Sequence, residues 1–415
     1  MQNSFHYEGN TLFCEQLALA DIAAKAGTPC YVYSSRDILE RFRAYDGTLT
    51  GVPHKICYAV KANSNLGLLA LLARAGAGFD IVSGGELFRV LKAGGQAGTV
   101  VFSGVGKTAE EIVYALEEGI HSFNCESEAE LSLIDSLAGR LGKRASVSLR
   151  VNPDVDAATH PYISTGLSEH KFGIDIRDVE QVYERARALP NLNLDGVSCH
   201  IGSQVLDVSP MLESVRKMLA LVDRLRARGF DIRRADLGGG LGVPYKPADQ
   251  APDIRSYVAE VRRLAEGRGL CLMFEPGRSI VAEAGVLLTR VLYRKATQRK
   301  EFIVVDAAMN DLIRPSLYGS YHEIVPLRRN DGGTLLADVV GPVCESGDFL
   351  ARDREMPNVF PGDLLAVCTS GAYGFVAASN YNSRPRPAEV LVEGETWRIV
   401  RERETLEDLV RGERG

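Results

Sequence analysis

The sequence lacks several features that would each indicate a different class of protein. Its 415 residues contain no apolar run of 18 residues, so no membrane-spanning helix is expected. The formal net charge is -6, which is the wrong sign for binding nucleic acid or an anionic membrane surface. The first ten residues, MQNSFHYEGN, lack the basic and then apolar layout of a signal peptide. We therefore expect a cytoplasmic protein with no nucleic-acid or membrane partner.

Closely spaced cysteines are also lacking. None of the eight lies within a few residues of another, so the C-x-x-C spacing of zinc and redox sites is absent and no metal site is predicted. Most of the eight lie in apolar runs, which is typical of small core residues. Cys344 differs from the others, because the polar run 345–348 follows it directly.

The sequence does contain a long alternation of strand-like and helix-like segments. Helical patterns such as 66–76, 108–119, 128–142 and 210–229 separate eight candidate strands. These strands are 56–61, 78–83, 99–104, 121–126, 146–152, 196–202, 234–240 and 271–277. Eight such units favour a closed (β/α)₈ barrel of the TIM type over an open sheet.

After about residue 279 the alternation gives way to strands with little helix between them. Residues 388–400 have the pattern of a hairpin that turns at Glu393–Thr396. The predicted fold is therefore α/β plus all-β. We expect a barrel domain over residues 35–280, and a second β-barrel or β-sandwich domain formed by residues 1–34 and 281–415.

Polar residues and glycines follow the predicted strands of the barrel. The active site of such a barrel lies at the C-terminal ends of its strands, so these residues are expected to converge on one rim. They are Lys61, Ser83, Arg150, Asn152, His200, the glycines 238–240, and the run from Glu275 to Arg278.

Lys61 and the glycine run each have two interpretations. Lys61 either extends its charge into water or is held partly desolvated, where its amine can act as a nucleophile and form a Schiff base. The glycines in DLGGGLG (236–242) form either a tight turn or a backbone cradle for an anion. This glycine run matches neither the Walker pattern nor G-x-G-x-x-G.

A lysine, a phosphate cradle and a carboxylate on one rim are what pyridoxal phosphate requires. Glu275 would face the ring nitrogen and keep it protonated, unless it only forms a salt bridge with Arg278. His200 would lie flat on the ring, unless it is an ordinary core histidine.

Motifs along most of the chain resemble those of the diaminopimelate decarboxylase family. They include CYAVKANSN, FDIVSGGEL, FSGVGKT, RVNPDVDAATHPYISTGLSEHKFGI, HIGSQ, DLGGGLGVPY, EPGRSIVA, GPVCESGDFLARD and GAYGFVAASNYNSRPRPAEVLV. The resemblance runs from about residue 10 to about residue 400. One departure is Ala377–Ala378, where a Met-Ser pair is expected. These enzymes use pyridoxal phosphate and belong to the alanine-racemase-like barrels, in the class of the ornithine, lysine and arginine decarboxylases.

The resemblance implies decarboxylation of meso-2,6-diaminopimelate to L-lysine and carbon dioxide, the last step of lysine biosynthesis. It assigns catalytic roles to Lys61, His200, Glu275 and Cys344, with Cys344 donating a proton from the partner subunit of a homodimer. The implied cofactor contacts are Lys61, Asp80, His200, Ser203, Gly239, Gly240, Glu275, Gly277, Arg278 and Tyr373. The implied substrate contacts are Arg278, Arg314, Tyr318, Glu345 and Tyr373.

Charge supports the choice of substrate within this class. The far end of diaminopimelate carries an ammonium and a carboxylate, which Glu345 and an arginine, Arg314 or Arg278, would match. In relatives that act on ornithine or arginine, an aspartate tends to follow the cysteine.

Three alternatives remain open. The chain could be a decarboxylase for ornithine, arginine or carboxynorspermidine. It could be an amino-acid racemase, although such enzymes place an arginine at the ring nitrogen. It could also be a pyridoxal-phosphate carrier, although carriers are single barrels.

Overall fold

The computed structural model describes residues 4–156 and 171–415, and it divides into two compact units. The first comprises Met1–Leu39, Pro244–Asp249 and Ile280–Gly415, and the second comprises Glu40–Val243 and Gln250–Ser279. The domain boundaries expected at residues 35 and 280 remain a prediction. Within the described ranges, no helix combines the length and the apolar character needed to cross a membrane.

The chain begins with a small antiparallel sheet. Its strands are β1 (Phe5–Glu8), β2 (Thr11–Cys14) and β3 (Leu17–Ala18). Helix α1 (Leu19–Ala26), strand β4 (Cys30–Ser34) and helix α2 (Ser35–Asp46) follow.

The second unit is an eight-stranded parallel barrel, as predicted. Its sheet also includes a short accessory strand, β10, that pairs with β9. The strands are β5 (His54–Ala59), β6 (Gly78–Ile81), β7 (Val100–Phe102), β8 (Ser122–Cys125), β9 (Ala145–Asn152), β10 (Ile174–Asp175), β11 (Leu192–Ser198), β12 (Arg234–Asp236) and β13 (Cys271–Phe274). The order β9-β11-β12-β13-β5-β6-β7-β8 closes on itself, because β8 also pairs with β9.

Helices separate the strands, and several of them begin at a residue whose side chain caps the helix. The helices are α3 (Leu66–Arg74), α4 (Gly84–Lys92), α5 (Ala109–Glu118), α6 (Glu128–Arg140), α7 (Val179–Ala186), α8 (Ser209–Ala227) and α9 (Ile254–Ala265). The Thr108 hydroxyl accepts a hydrogen bond from the Glu111 backbone N–H, and the Glu111 carboxylate accepts one from the Thr108 backbone N–H. This reciprocal pair is a capping box. Asn65, Ser83 and Ser127 cap their helices by the same kind of side-chain acceptance.

Several strands are shorter at their C-terminal ends than the sequence pattern predicts. β5 stops at Ala59, and Lys61 lies in a following 3₁₀ turn, Val60–Ala62. β11 stops at Ser198, so His200 lies beyond the strand. β12 stops at Asp236, because Gly238 and Gly240 adopt positive φ angles that a parallel ladder does not accept. Lys61, His200 and the glycines 238–240 are therefore loop residues that follow their strands, whereas Arg150 and Asn152 lie within β9.

The first unit contains a long mixed sheet. Its remaining elements follow α10 (Arg278–Val281), whose first two residues belong to the second unit. They are β14 (Gly285–Ala296), β15 (Glu301–Val305), α11 (Arg314–Tyr318), β16 (Ile324–Pro326), β17 (Thr334–Val340), β18 (Phe349–Pro357), β19 (Leu364–Val367), β20 (Ala388–Glu393), β21 (Thr396–Arg401) and α12 (Leu406–Leu409). The main path is β18-β17-β15-β14-β4-β20-β21, with β19 on β14 and β16 on β19. Strand β4, from the N-terminal segment, thus lies inside this sheet. The hairpin β20–β21 turns at Glu393–Thr396, as predicted.

Apolar residues from both ends of the chain form the core of this unit. Val32 of β4, Val286 and Leu288 of β14, and Val390 of β20 pack in one cluster with the N-terminal residue Leu12. Because burial of apolar area is the main stabilising term, this cluster ties the N-terminal segment to the C-terminal strands.

Candidate active site

Lys61 meets a buried carboxylate at the rim of the barrel. Its Nζ lies 2.6 Å from Asp80 Oδ2, and Asp80 is wholly buried on the neighbouring strand β6. The Lys61 side chain is 37% exposed, so its amine neither extends fully into water nor lies sealed in the core. Asp80 Oδ1 is buried and has no hydrogen-bond partner within the part of the chain that the structure describes. The pair holds the amine in place while leaving it accessible to a ligand.

A second buried carboxyl, Glu275, follows strand β13. Its Oε1 accepts from Ser103 Oγ at 3.3 Å and from Asn124 Nδ2 at 3.1 Å. Asn124 Nδ2 also donates to Asp236 Oδ2 at 3.0 Å, so the amide bridges two carboxyl groups. Both carboxyl groups thus have neutral partners inside the barrel. Glu275 is thus hydrogen-bonded to Ser103 and Asn124. The salt bridge with Arg278, considered from the sequence as the alternative, stays a prediction.

The surroundings of this pair favour its protonated form. Burial, followed by the charge of the neighbouring Asp236, raises the pKa of Glu275 well above its ordinary value. Burial likewise raises the pKa of Asp236. Two carboxyl groups in a desolvated space cannot both ionise without cost, so the pair favours binding of a proton or of a cationic ligand.

Sequence reasoning missed Ser103, Asn124 and Asp236. Ser103 directly follows β7, Asn124 lies in β8 and Asp236 ends β12, and all three are buried. That is a signal the sequence did contain, because a polar residue at an inward-facing position of a barrel strand needs a partner.

Glu86, at the start of α4, is a further titratable group that the sequence analysis did not single out. Its Oε2 accepts from the Val82 backbone N–H at 2.8 Å. Burial raises the pKa of Glu86 to about 7, against the effect of that hydrogen bond, and the nearby Asp80 adds to the rise. The surroundings of Lys61 and Asp80 therefore include a carboxyl group with a pKa of about 7.

The glycine run after β12 is packed too closely for any side chain. A Cβ on Gly239 would collide with the Glu275 carbonyl oxygen, and one on Gly240 would lie 2.5 Å from the Gly202 carbonyl oxygen. Gly238 N donates to Asp236 Oδ1 at 3.0 Å, and Glu275 N donates to the Gly238 carbonyl at 2.7 Å. The glycine loop and the Glu275 segment are thus held as one piece.

Gly277 brings the Glu275 segment close to the lysine. A Cβ there would lie 2.9 Å from the Ala62 side chain and 3.1 Å from that of Ala59. The Ala59 N–H donates to the Pro276 carbonyl at 3.0 Å. Glycine at 277 therefore lets the turn that carries Lys61 pack against the loop that follows β13.

His200 contributes a neutral ring. Its Nδ1 accepts from the Gly239 N–H at 3.3 Å. Burial, followed by the charges of Arg150 and Lys61, lowers the pKa of His200 well below its ordinary value. A neutral imidazole anchored to the glycine loop is suited to stacking on a ligand ring.

Ser203 and Arg278 also lie together. The Arg278 guanidinium donates to Ser203 Oγ from Nε at 3.3 Å and from Nη2 at 3.0 Å. Arg278 is buried, so its positive charge lies away from bulk water. The predicted barrel residues therefore lie on the four segments that follow β5, β11, β12 and β13, with Asp80 on β6.

The remaining predicted residues belong to the other unit. Arg314 and Tyr318 lie on α11, and Tyr373 has a φ of 54°, an uncommon value for a residue with a side chain. The Cys344 N–H donates to Asn382 Oδ1 at 2.9 Å, and Glu345 Oε2 accepts from Tyr381 Oη at 2.7 Å.

Cys344 is exposed. The bonds to Tyr381 and Asn382 join the CESGD and SNYN motifs, so the Ala377–Ala378 departure leaves that junction intact. The approach of this group to the barrel rim remains a prediction, as do the roles of all the named site residues. Part of one resembling motif, residues 157–170, lies outside the described residues.

Comparison with known proteins identifies close relatives of this chain. Residues 35–282 match the model of the family described as pyridoxal-dependent decarboxylase, pyridoxal binding domain. The chain is 56% identical to a diaminopimelate decarboxylase of Pseudomonas aeruginosa, over 99% of each chain.

Solved structures of diaminopimelate decarboxylases are also similar to this chain. The crystal structure of diaminopimelate decarboxylase from Helicobacter pylori complexed with L-lysine has a TM-score of 0.91 at 44% identity, and it covers 95% of this chain and 98% of that one. The enzyme from M. jannaschii in co-complex with L-lysine has a TM-score of 0.94 at 38% identity, covering 100% and 98%.

Proposed function

This chain belongs to the diaminopimelate decarboxylase family of pyridoxal-dependent decarboxylases, and from that premise we propose that it converts meso-2,6-diaminopimelate to L-lysine and carbon dioxide. The cofactor is pyridoxal 5'-phosphate, and the reaction is the last step of lysine biosynthesis. The observation that carries the proposal is the buried pair Glu275 and Asp236, whose carboxyl groups share the Asn124 amide and whose pKa values burial raises.

The barrel residues fit the cofactor. The Lys61 amine would hold its aldehyde carbon, with Asp80 orienting the amine. Glu275 would accept a hydrogen bond from the protonated ring nitrogen, and His200 would stack on the ring. When bound, the cofactor supplies an electron sink for the electrons left by the departing carboxylate.

The phosphate of the cofactor would lie against a second group of barrel residues. It would contact the backbone of Gly239, Gly240 and Gly277, together with Ser203 and Arg278. Two properties support this assignment. The glycines leave no room for side chains, and the Arg278 cation is buried.

Substrate recognition is proposed for the residues of the other unit. A ligand with an ammonium and a carboxylate at its far end needs an anion and a cation there, which Glu345 and Arg314 supply. Tyr318, Tyr373 and Arg278 would complete the contacts. Arginine grips a carboxylate through two parallel hydrogen bonds, which a single point charge cannot do.

The test of the function is product analysis. Purified protein loaded with pyridoxal phosphate should release lysine and carbon dioxide from meso-diaminopimelate. The Lys61→Ala variant serves as the control and should release neither product. Release of putrescine from ornithine, or of a D-amino acid, with no lysine from diaminopimelate would contradict the proposal and favour one of the alternative activities.

A homodimer with shared active sites is the finer part of the proposal. In it, Cys344 of one protomer would supply a proton to the substrate carbon that loses the carboxylate, in the site that contains Lys61 of the other protomer. The support is the resemblance of CESGD to the family motif, together with the exposure of Cys344, which leaves its thiol accessible.

Mixing two inactive variants tests this arrangement. Lys61→Ala and Cys344→Ala chains that exchange subunits form mixed dimers about half the time, and one of the two sites in each mixed dimer is intact. Roughly a quarter of wild-type activity should therefore return. If exchange is demonstrated by tagging and no activity returns, Cys344 does not act across an interface. The cytoplasmic location expected from the N-terminal sequence remains a prediction.

A further inference from the structure

Arg314, the proposed substrate contact, is held by a histidine that the sequence analysis did not single out. His322 is wholly buried in the loop between α11 and β16. Its Nδ1 lies 2.9 Å from the Cys368 carbonyl oxygen, and its Nε2 lies 3.0 Å from Arg314 Nη1.

These two contacts decide the protonation of the ring. A carbonyl oxygen can only accept, so the hydrogen of His322 lies on Nδ1. An arginine guanidinium can only donate, so Nε2 presents its lone pair to Arg314. The imidazole is therefore the neutral Nδ1–H tautomer, and it directs one of the five N–H groups of Arg314.

An aromatic ring, that of Tyr245, also lies close to the Arg314 guanidinium. The Arg314 guanidinium carbon lies 4.5 Å from the centroid of the Tyr245 ring. The Tyr245 and His322 rings meet edge to face, with centroids 5.3 Å apart and planes at 79°. Arg354 Nη1 donates to the His322 carbonyl at 2.9 Å, so the histidine backbone is fixed as well.

We propose that His322 is a positioning residue that aims the Arg314 guanidinium and thereby sets the preference for ligands with a distal carboxylate. This inference rests on the proposed function, because it assumes that Arg314 contacts the far end of the substrate. A guanidinium held by a nearby aromatic ring and by a hydrogen-bond acceptor loses little freedom when it binds a carboxylate, so its orientation contributes directly to selectivity.

Two ligands isolate the effect. L-Lysine keeps the distal carboxylate and ammonium of diaminopimelate, whereas 1,5-diaminopentane has the same chain length and no carboxylate. Titration of each into cofactor-loaded protein, followed by the absorbance of the cofactor, gives two affinities. Their ratio reports the carboxylate contact separately from cofactor binding.

Two substitutions of similar size form the matched pair. His322→Asn can still donate to the Cys368 carbonyl but removes the acceptor from Arg314. His322→Gln can place its amide oxygen near the Nε2 position. We expect His322→Asn to lose about tenfold in the ratio of lysine to diaminopentane affinity, as for loss of a hydrogen bond to a charged group. His322→Gln should retain most of the ratio, and Arg314→Ala should lose more than either.

Kinetics give a second readout. His322→Asn should raise the KM for diaminopimelate more than it lowers kcat. Combined with Arg314→Ala, it should cause no further loss of the affinity ratio, because the residue it positions is gone.

The outcomes separate the two claims. If the wild-type protein releases no lysine from diaminopimelate, the proposed function fails whatever the variants do. If the wild type releases lysine and a folded His322→Asn keeps the wild-type affinity ratio, only the role of His322 is overturned. Equal weakening of both ligands would also overturn it, since that result indicates general damage to the unit.

Discussion

Buried carboxyl groups in the barrel have raised pKa values, whereas a carboxyl group near the C-terminal end of the other unit has a lowered one. Glu275 and Asp236 share one neutral amide inside the barrel, and burial raises both pKa values. Glu404 accepts from the Arg386 backbone at 2.8 Å and from Asn380 at 2.6 Å, and it pairs with the Arg386 guanidinium. Burial alone would raise its pKa, but these hydrogen bonds hold it at about 2.

The difference shows which carboxyl group is structural. Glu404 has a permanent cation, so its charge stabilises the fold around it. Glu275 and Asp236 have neutral partners, so the barrel carries an electrostatic cost that a cationic ring nitrogen would relieve. Groups that perturb each other in this way cluster at functional sites. The four predictions below test the comparison, from the largest expected effect to the smallest.

Replacing the lysine should abolish function without changing the barrel. Lys61→Ala removes the only amine proposed to hold the cofactor, so lysine release should fall to background. Borohydride treatment of the wild-type protein should fix the cofactor to the peptide that contains Lys61, which mass spectrometry can identify. A wild-type protein that is colourless and takes up no pyridoxal phosphate would sink this assignment.

Neutralising Glu275 should impair turnover and spare folding. Glu275→Gln can still accept from Asn124, but it no longer offers a charge to the ring nitrogen. A charge-assisted hydrogen bond is worth roughly 1.5–3 kcal/mol, so kcat should fall about ten- to a hundredfold or more. The measurement is steady-state turnover beside a cofactor-binding titration. Unchanged turnover in a folded, loaded variant would refute the role.

Removing the Asp236 carboxyl group should make the cofactor-free protein more stable than the wild type, and the difference should grow as the pH rises. The native pKa values of Asp236 and Glu275 are raised, so the protonated pair stabilises the fold at acid pH and this contribution is lost as the pH rises. The Asp236→Asn variant does not suffer this loss. The difference in Tm, variant minus wild type, should therefore increase from pH 5 to pH 8.

The expected size of this change is about 2–4 °C, for roughly 1 kcal/mol. Thermal unfolding of cofactor-free protein at several pH values measures it. A difference in Tm that is the same at every pH would mean that the two carboxyl groups are not coupled.

The structural carboxylate should show the reverse pH dependence. The native pKa of Glu404 is lowered from 4.5 to about 2, so its contribution is present above 4.5 and is lost as the pH falls through 2. Glu404→Gln should be less stable at pH 7 by about 1 kcal/mol or less, because the pair is partly solvated. Denaturant unfolding from pH 7 to pH 3 should show this deficit shrinking in acid. A deficit that grew in acid would contradict the pairing.

Much of this protein follows from sequence pattern alone. Alternation of buried strands and amphipathic helices indicated the barrel, and the β-rich remainder indicated the second domain. Lys61, Glu275 and the glycines 238–240 could be singled out because each directly follows a strand, and the C-terminal ends of barrel strands share one rim. The hairpin at Glu393–Thr396 was predicted from a local turn pattern.

Other features were decided only by tertiary structure. Asn124 bridges Asp236 and Glu275 across sequence separations of 112 and 151 residues. Strand β12 ends earlier than the sequence pattern predicts, because the glycine loop packs against the Glu275 segment. A local sequence pattern does not show that packing. Likewise, His322 reads as an ordinary buried histidine until both of its ring nitrogens find partners, Cys368 and Arg314. Sequence periodicity determines which face of an element is buried, whereas hydrogen-bond partners and pKa shifts depend on distances that exist only once the chain has closed.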